Sequence, residues 1–202
     1  MSGALSISGN SGSGALCVLT TSPLTPITHS EFLIPNFFPM SKKDKIPETL
    51  ALRVLKKCDI PFEVFEYKYE PRGGTRVSSR ELGVDEHVCI KTIILETDAK
   101  EPFIVLMHGD LEISTKNMAR ILGVKSVKPC EPTVADKHSG YQVGGTSPFG
   151  TKRRMRVFVE STILDEPFIY INAGHRGLLV KINPKDISKA LPIEPVQVGV
   201  KE

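Results

Sequence analysis

The chain has 202 residues, 40% hydrophobic and 24% charged, an ordinary balance for a globular protein with length enough for one core and a tail. Its net charge of +3 does not by itself mark a nucleic-acid binder, and four dispersed cysteines without a CxxC pair argue against a zinc ribbon or a disulfide framework. From that cysteine spacing, free thiols in a reducing cytoplasm are the simplest expectation, and no apolar run reaches the roughly 18 residues of a membrane span.

Residues 1–39 contain no Lys or Arg and a single acid, Glu31. Ser-Gly-rich residues 8–14 and Pro23, Pro26, Pro35 and Pro39 leave no periodic apolar pattern, and neither a secretory signal nor an Arg-rich transit peptide fits. The expectation is a disordered N-terminal extension over 1–39 and a single folded domain over 40–202.

From residue 46 the patterns become regular. Pro47 suits a first helical position, and Leu50, Val54, Leu55 and Cys58 recur at helical spacing until Pro61. Phe62, Val64 and Tyr67 read as a strand, and residues 78–83 as a short helix ending at Gly83. Residues 88–95 and 103–107 predict a hairpin turning through Asp98-Ala99-Lys100. Ser114 caps a helix carrying Met118, Ile121 and Leu122, with Gly123 past its end, and another helix starts at Pro132. Strands are expected over 157–160, 168–172 and 178–182, with a last helix opened by Asn183-Pro184 and running to Leu191. Strands and helices intersperse without a βαβ rhythm, which predicts an α+β fold.

Four segments could carry chemistry. In Ser139-Gly140-Tyr141-Gln142-Val143-Gly144-Gly145-Thr146-Ser147-Pro148-Phe149-Gly150, adjacent glycines allow backbone N–H groups to converge on an anion or oxyanion; the plainer alternative is a tight turn shaped by Pro148 and Gly150. Lys91-Thr92 interrupts an apolar strand, where a lysine either snorkels outward or enters a pocket. Cys89 shares its strand face, so it is either a nucleophile activated by Lys91 or a small buried hydrophobe. Ala173-Gly174-His175-Arg176-Gly177 is a solvated turn or a ligand-facing one. Lys152-Arg153-Arg154 follows the Gly-rich segment and could meet phosphates, though charge runs are usually solvated surface. The five histidines form no HxxxH or HExxH pattern, and neither a metal nor another cofactor is expected.

Taken together in this order, Lys91-Thr92, the helix ending Ala119-Arg120-Ile121-Leu122-Gly123, the Gly140–Gly150 segment and the Ala173–Gly177 turn resemble the YbaK family of aminoacyl-tRNA deacylases, relatives of the editing domain in bacterial prolyl-tRNA synthetases. The resemblance covers roughly residues 46–192. It implies an α+β fold with a curved, barrel-like mixed β-sheet flanked by helices. It also implies a metal-free trans-editing enzyme that removes cysteine from mischarged Cys-tRNA(Pro), the substrate's own thiol attacking its ester carbonyl.

By position, the resemblance makes Lys91, Gly144 and Gly145 the catalytic group. Lys91 would hold the substrate end, while the glycine amides bind the carbonyl oxygen or the ribose. Tyr67, Thr92, Thr146, Ser147 and Gly174 would bind substrate, and Lys152, Arg153 and Arg154 would bind tRNA. The tRNA acceptor end is the implied partner, with prolyl-tRNA synthetase as a second. Three positions depart from similar proteins: residues 72–76 read Arg-Gly-Gly-Thr-Arg where an aromatic is frequent, Leu179 stands where some place an acid, and Asn172 where some have serine. Alanyl or seryl esters on tRNA are therefore the nearest alternative substrates, and a catalytically silent tRNA- or synthetase-binding module is the rival of another class.

Overall fold

The structure is a computed structural model that describes residues 46–201. The expectation of a disordered 1–39 extension lies outside these residues. Thr49 begins the first helix, α1 (Leu50–Lys57), by accepting a hydrogen bond from the Leu52 amide at 3.2 Å. The helix starts three residues after Pro47 because that hydroxyl, and not the proline, satisfies the free amides of the first turn. Strand β1 (Glu63–Glu66) follows, and then α2 (Gly74–Leu82), which begins four residues before the predicted Ser78. Thr75 explains the earlier start: its hydroxyl donates to Glu86 at 2.7 Å and lies 3.2 Å from the Gly109 carbonyl, tertiary bonds that override two poor helix formers, Gly73 and Gly74.

The expected hairpin is present. β2 (Cys89–Thr97) pairs antiparallel with β3 (Pro102–His108), from Ile90 opposite His108 to Glu96 opposite Pro102. All seven residues of β3 are buried, because both of its faces meet core. Ile104 and Leu106 join the layer under α1 with Val157, Ile171 and Val180, while Phe103, Val105 and Met107 pack against Met118 on the other side. Met118 belongs to α3 (Thr115–Leu122), capped by Ser114 and closed by Gly123 as the sequence predicts.

A two-residue strand, β4 (Glu112–Ile113), precedes α3, and β5 (Val127–Pro129) and α4 (Pro132–Ser139) follow it. β6 (Arg156–Glu160), β7 (Ile169–His175) and β8 (Leu178–Ile182) supply the three later strands, β7 extending through the expected turn as far as His175. The last predicted helix divides into a 3₁₀ turn at Pro184–Asp186 and a short α5 (Ile187–Ala190). β9 (Glu194–Val196) and β10 (Gly199–Val200) end the described chain.

Seven strands lie in the order β1-β8-β7-β2-β3-β6-β9, with β5 added to β2, and β10 pairs separately with β4. The β2–β7, β3–β6 and β6–β9 pairs are parallel and the rest antiparallel, so the sheet is mixed, as expected. Among the described residues no helix is long and apolar enough to cross a membrane.

His108, at the end of β3, is fully buried. Its Nδ1 lies 2.7 Å from the His87 carbonyl, which can only accept, so Nδ1 carries the proton and Nε2 receives the Thr162 hydroxyl at 2.9 Å. Burial holds its pKa below the usual histidine value, against the opposing hydrogen bond to the His87 carbonyl and the pull of Asp110 and Glu166. The unfolded chain takes up a proton at about pH 6.5 and the folded chain only at lower pH, so stability falls as pH drops below that value. Thermal unfolding of His108→Gln should lose less stability than the parent between pH 6.5 and the folded pKa; identical acid limbs would remove His108 as the cause.

Candidate active site

β2, β7 and β8 place one set of side chains over a cleft of about 1010 Å³. Cys89 pairs with Tyr170 and Ile90 with Ile171 in parallel register, so Cys89 and Lys91 share a face with Tyr170 and Asn172. Leu179 of β8 pairs with Asn172 and lines the same space. Tyr67 and Tyr69 reach it from the end of β1, Arg72 to Arg76 from the start of α2, Glu112 from β4, and Val143, Gly144 and Thr146 from the Gly-rich segment. Five of the expected site residues, Tyr67, Lys91, Thr92, Gly144 and Thr146, therefore line one cavity.

Lys91 does enter the pocket rather than solvent. Its side chain is 19% exposed, and its ammonium lies 2.7 Å from a carboxylate oxygen of Glu112, which is 52% exposed. Glu112 is a site residue that sequence reasoning missed, because only the turn after β3 brings it opposite the lysine. Two polar atoms of the lining, Thr92 Oγ1 and Asn172 Oδ1, are buried with no hydrogen-bond partner. Buried polar atoms are rarely left so, and here both lie in a wall where a polar ligand could reach them.

Cys89 is 1% exposed, and burial pushes its thiol up to about 11. A hydrogen bond with Ser78 works in the opposite direction, while the charges of Glu86 and Asp85 raise the value further. Lys91, its ammonium turned to Glu112, is not among the groups that act on the thiol. Of the two readings the sequence leaves open, the small buried thiol is the one present. Burial, with Tyr69 adding to it, also keeps the Tyr67 phenol protonated above its ordinary range, so it serves the cleft as a neutral donor or a wall.

The remaining expected residues have other surroundings. Gly145 lies beneath the cleft lining, and its amide donates to the Gln142 carbonyl at 2.9 Å. That bond closes the turn and withdraws the amide from any ligand, leaving Gly144 as the glycine in the wall. Ser147 is fully buried and its hydroxyl faces the Phe149 amide at 3.4 Å, shaping the loop. Gly174 has a φ of +86°, and a methyl group there would lie 2.6 Å from the Tyr141 ring, so it serves packing behind the wall. Tyr141 in turn donates to the Phe149 carbonyl at 2.6 Å. Lys152, Arg153 and Arg154 are exposed but outside the cleft lining; the amides of Lys152 and Arg153 close onto the Ser139 and His138 carbonyls at the end of α4.

The Gly-rich segment and the β7–β8 turn are tied together. Arg176 donates from Nε to the Val143 carbonyl at 2.9 Å and lays its guanidinium over the Tyr69 ring, 5.2 Å from the centroid. Among the described residues no group of three or more His, Cys, Asp or Glu side chains is placed to hold a metal ion.

The mixed sheet thus carries a cleft lined by Lys91 and by the Gly-rich loop. Residues 73–190 match the aminoacyl-tRNA editing domain, and the chain belongs to that family. It is 23% identical over 164 residues to the "Putative Cys-tRNA(Pro)/Cys-tRNA(Cys) deacylase EbsC" of Enterococcus faecalis, covering 81% of this chain and all of that one. It is 32% identical over 74 residues to the proline–tRNA ligase of Brachyspira hyodysenteriae, a match spanning 37% of this chain and 13% of that enzyme. The crystal structure titled as that of "a putative trans-editing enzyme for prolyl tRNA synthetase" shares the fold, with a TM-score of 0.65 and 14% identity over 76% of this chain and 99% of the other.

Proposed function

We propose that the chain is a trans-editing deacylase that removes cysteine from mischarged Cys-tRNA(Pro) in the cytoplasm, working beside prolyl-tRNA synthetase. The step is an intramolecular transfer. The cysteinyl sulfur forms a bond to its own ester carbonyl carbon, the carbon–oxygen bond to the terminal ribose breaks, and the ribose oxygen leaves with the proton given up by the thiol. Free tRNA and a cyclic thiolactone result. Such a reaction needs a bound conformer with sulfur against carbonyl, and enforced proximity can supply several kcal/mol of the barrier.

The observation that carries this reading is the state of the one cysteine in the cleft wall. Cys89 is buried and protonated, while Lys91, Thr92, Asn172 and the Gly144 backbone form a lining suited to holding and polarising a substrate. Lys91 is assigned to the charge that develops on the ester, Tyr67, Thr92 and Thr146 to the aminoacyl and ribose groups. Lys152, Arg153 and Arg154, on the face beside the Gly-rich loop, are assigned to phosphates further along the acceptor stem.

The test is a panel of labelled aminoacyl-tRNAs. Cys89→Ala should keep most of the activity on Cys-tRNA(Pro), whereas the parent protein should cleave Ser-tRNA and Ala-tRNA far more slowly, because a hydroxyl is a poor nucleophile at neutral pH and a methyl group is none. An inactive Cys89→Ala together with rapid cleavage of Ala-tRNA would overturn the mechanism. Binding of every tRNA without release of any amino acid would leave the fold serving as a silent binding module.

A further inference from the structure

Three guanidinium groups border the cleft: Arg72 before α2, Arg76 in its first turn and Arg176 in the β7–β8 turn. All three are exposed, and none forms an ion pair among the described residues, whereas Arg53, Arg80 and Arg156 each lie within 3.7 Å of a carboxylate. The carboxylates in the same wall are already engaged: Glu86 accepts from Thr75, Asp110 faces His87 at 2.8 Å, and Glu112 holds Lys91. Arg176 is fixed by its bond to Val143 and its place over Tyr69, which leaves its two terminal nitrogens without a partner among the described residues. Arg72 has a φ of +65°, a conformation that side-chain-bearing residues seldom adopt and that tends to persist where function requires it.

We infer that Arg72, Arg76 and Arg176 form a phosphodiester subsite that receives the backbone of the last nucleotides next to the ester, separate from the Lys152–Arg154 run. Guanidinium forks match phosphate oxygens in geometry and stay charged at every working pH. The Lys91–Glu112 pair and the three arginines line the same cleft, so a single strand whose terminal ester sits at Lys91 has these guanidinium groups within the same walls. Arg72 and Arg76 thus give this side of the cleft a charged rim.

The inference rests on the deacylase reading, and one experiment separates the two. Log(kcat/KM) for Cys-tRNA(Pro) is measured against log salt for the full chain and its variants. Each single-strand phosphate contact contributes a slope of about −0.7, so Arg72→Ala/Arg76→Ala/Arg176→Ala should be shallower than the parent by about two units. Its KM at physiological salt should rise about tenfold or more. Arg72→Lys/Arg76→Lys/Arg176→Lys should keep most of the slope, which excludes misfolding as the source of the loss. Arg53→Ala/Lys57→Ala on α1, outside the cleft lining, should leave the slope unchanged. An active triple-Ala variant with the parent's slope, or an equal loss in the α1 control, overturns the subsite while the deacylase stands. A parent chain that releases no amino acid from any aminoacyl-tRNA overturns both.

Discussion

Lys91→Ala should lower kcat/KM on Cys-tRNA(Pro) by roughly a hundredfold or more, the loss of a few kcal/mol of charge stabilisation in a site partly withdrawn from water. The fold should survive. Lys91 is partly exposed, so no large cavity opens, and its partner Glu112 is half exposed and can be rehydrated once the ammonium is gone. Single-turnover release of cysteine, read beside thermal unfolding, distinguishes the two effects. Glu112→Gln gives the complementary result: it keeps an acceptor for the ammonium while removing the counter-charge, so activity should fall less than in Lys91→Ala. A well-folded Lys91→Ala protein with near-parent rates would remove Lys91 from the chemistry altogether.

Gly145→Ala should be strongly damaging to the wall of the cleft. The new carbon would lie 2.7 Å from both the Arg176 amide nitrogen and the His175 carbonyl carbon. Those are backbone atoms of the β7–β8 hairpin, and neither can swing aside as a side-chain tip would. Either the Gly-rich loop or the hairpin must shift, breaking the Arg176–Val143 bond and misplacing Gly144 and Thr146. Overpacking of this kind costs about 1–3 kcal/mol, so the unfolding midpoint should fall by several degrees while activity falls further than stability accounts for. Gln142→Ala, at an exposed position of the same loop outside the cleft lining, should change neither. Equal midpoints and rates for Gly145→Ala and the parent would show that the close approach does not hold the wall in place.

Much of this architecture is legible from local chemistry. β8 is framed by Gly177 and Asn183, α3 by Ser114 and Gly123, and the β2–β3 hairpin by a three-residue polar turn, and each forms where its punctuation places it. What local chemistry does not encode is pairing over long distances. β4, β5, β9 and β10 are two or three residues long, two of them containing proline, and exist because distant strands offer them partners. The buried Glu160 carboxylate holds the C-terminal stretch by accepting the Val198 and Gly199 amides at 2.8 and 2.7 Å, a contact across 38 and 39 residues.

The site divides in the same way. Lys91, Thr92, Gly144, Thr146 and Tyr67 reach one cleft from segments with a visible signature, a lysine in an apolar strand or glycines in a row. Glu112, Arg72 and Arg76 carry no such signature, since a charged residue in a turn is ordinary in any sequence, whereas Arg176 stands in the marked Ala173–Gly177 turn. Gly145, Ser147 and Gly174 stand in the marked segments, yet their contacts are a turn bond, a buried loop hydroxyl and a tyrosine ring. A motif identifies the segment that matters, and the packing within it decides which atoms face a ligand.

The burial of Cys89 has a bearing on what the protein can survive. A thiol titrating at about 11 is ionised in roughly one molecule in ten thousand at neutral pH, and only the thiolate reacts readily with peroxides or acylating agents. A strained cyclic thioester set free in the cleft would be such an acylating agent, released within reach of its own source. Almost fully buried and kept protonated, the neighbouring sulfur is a poor target for it. A protein that handled reactive sulfur at every turnover could thus escape modification by its own product, and its working lifetime would be set by unfolding instead of by chemical wear.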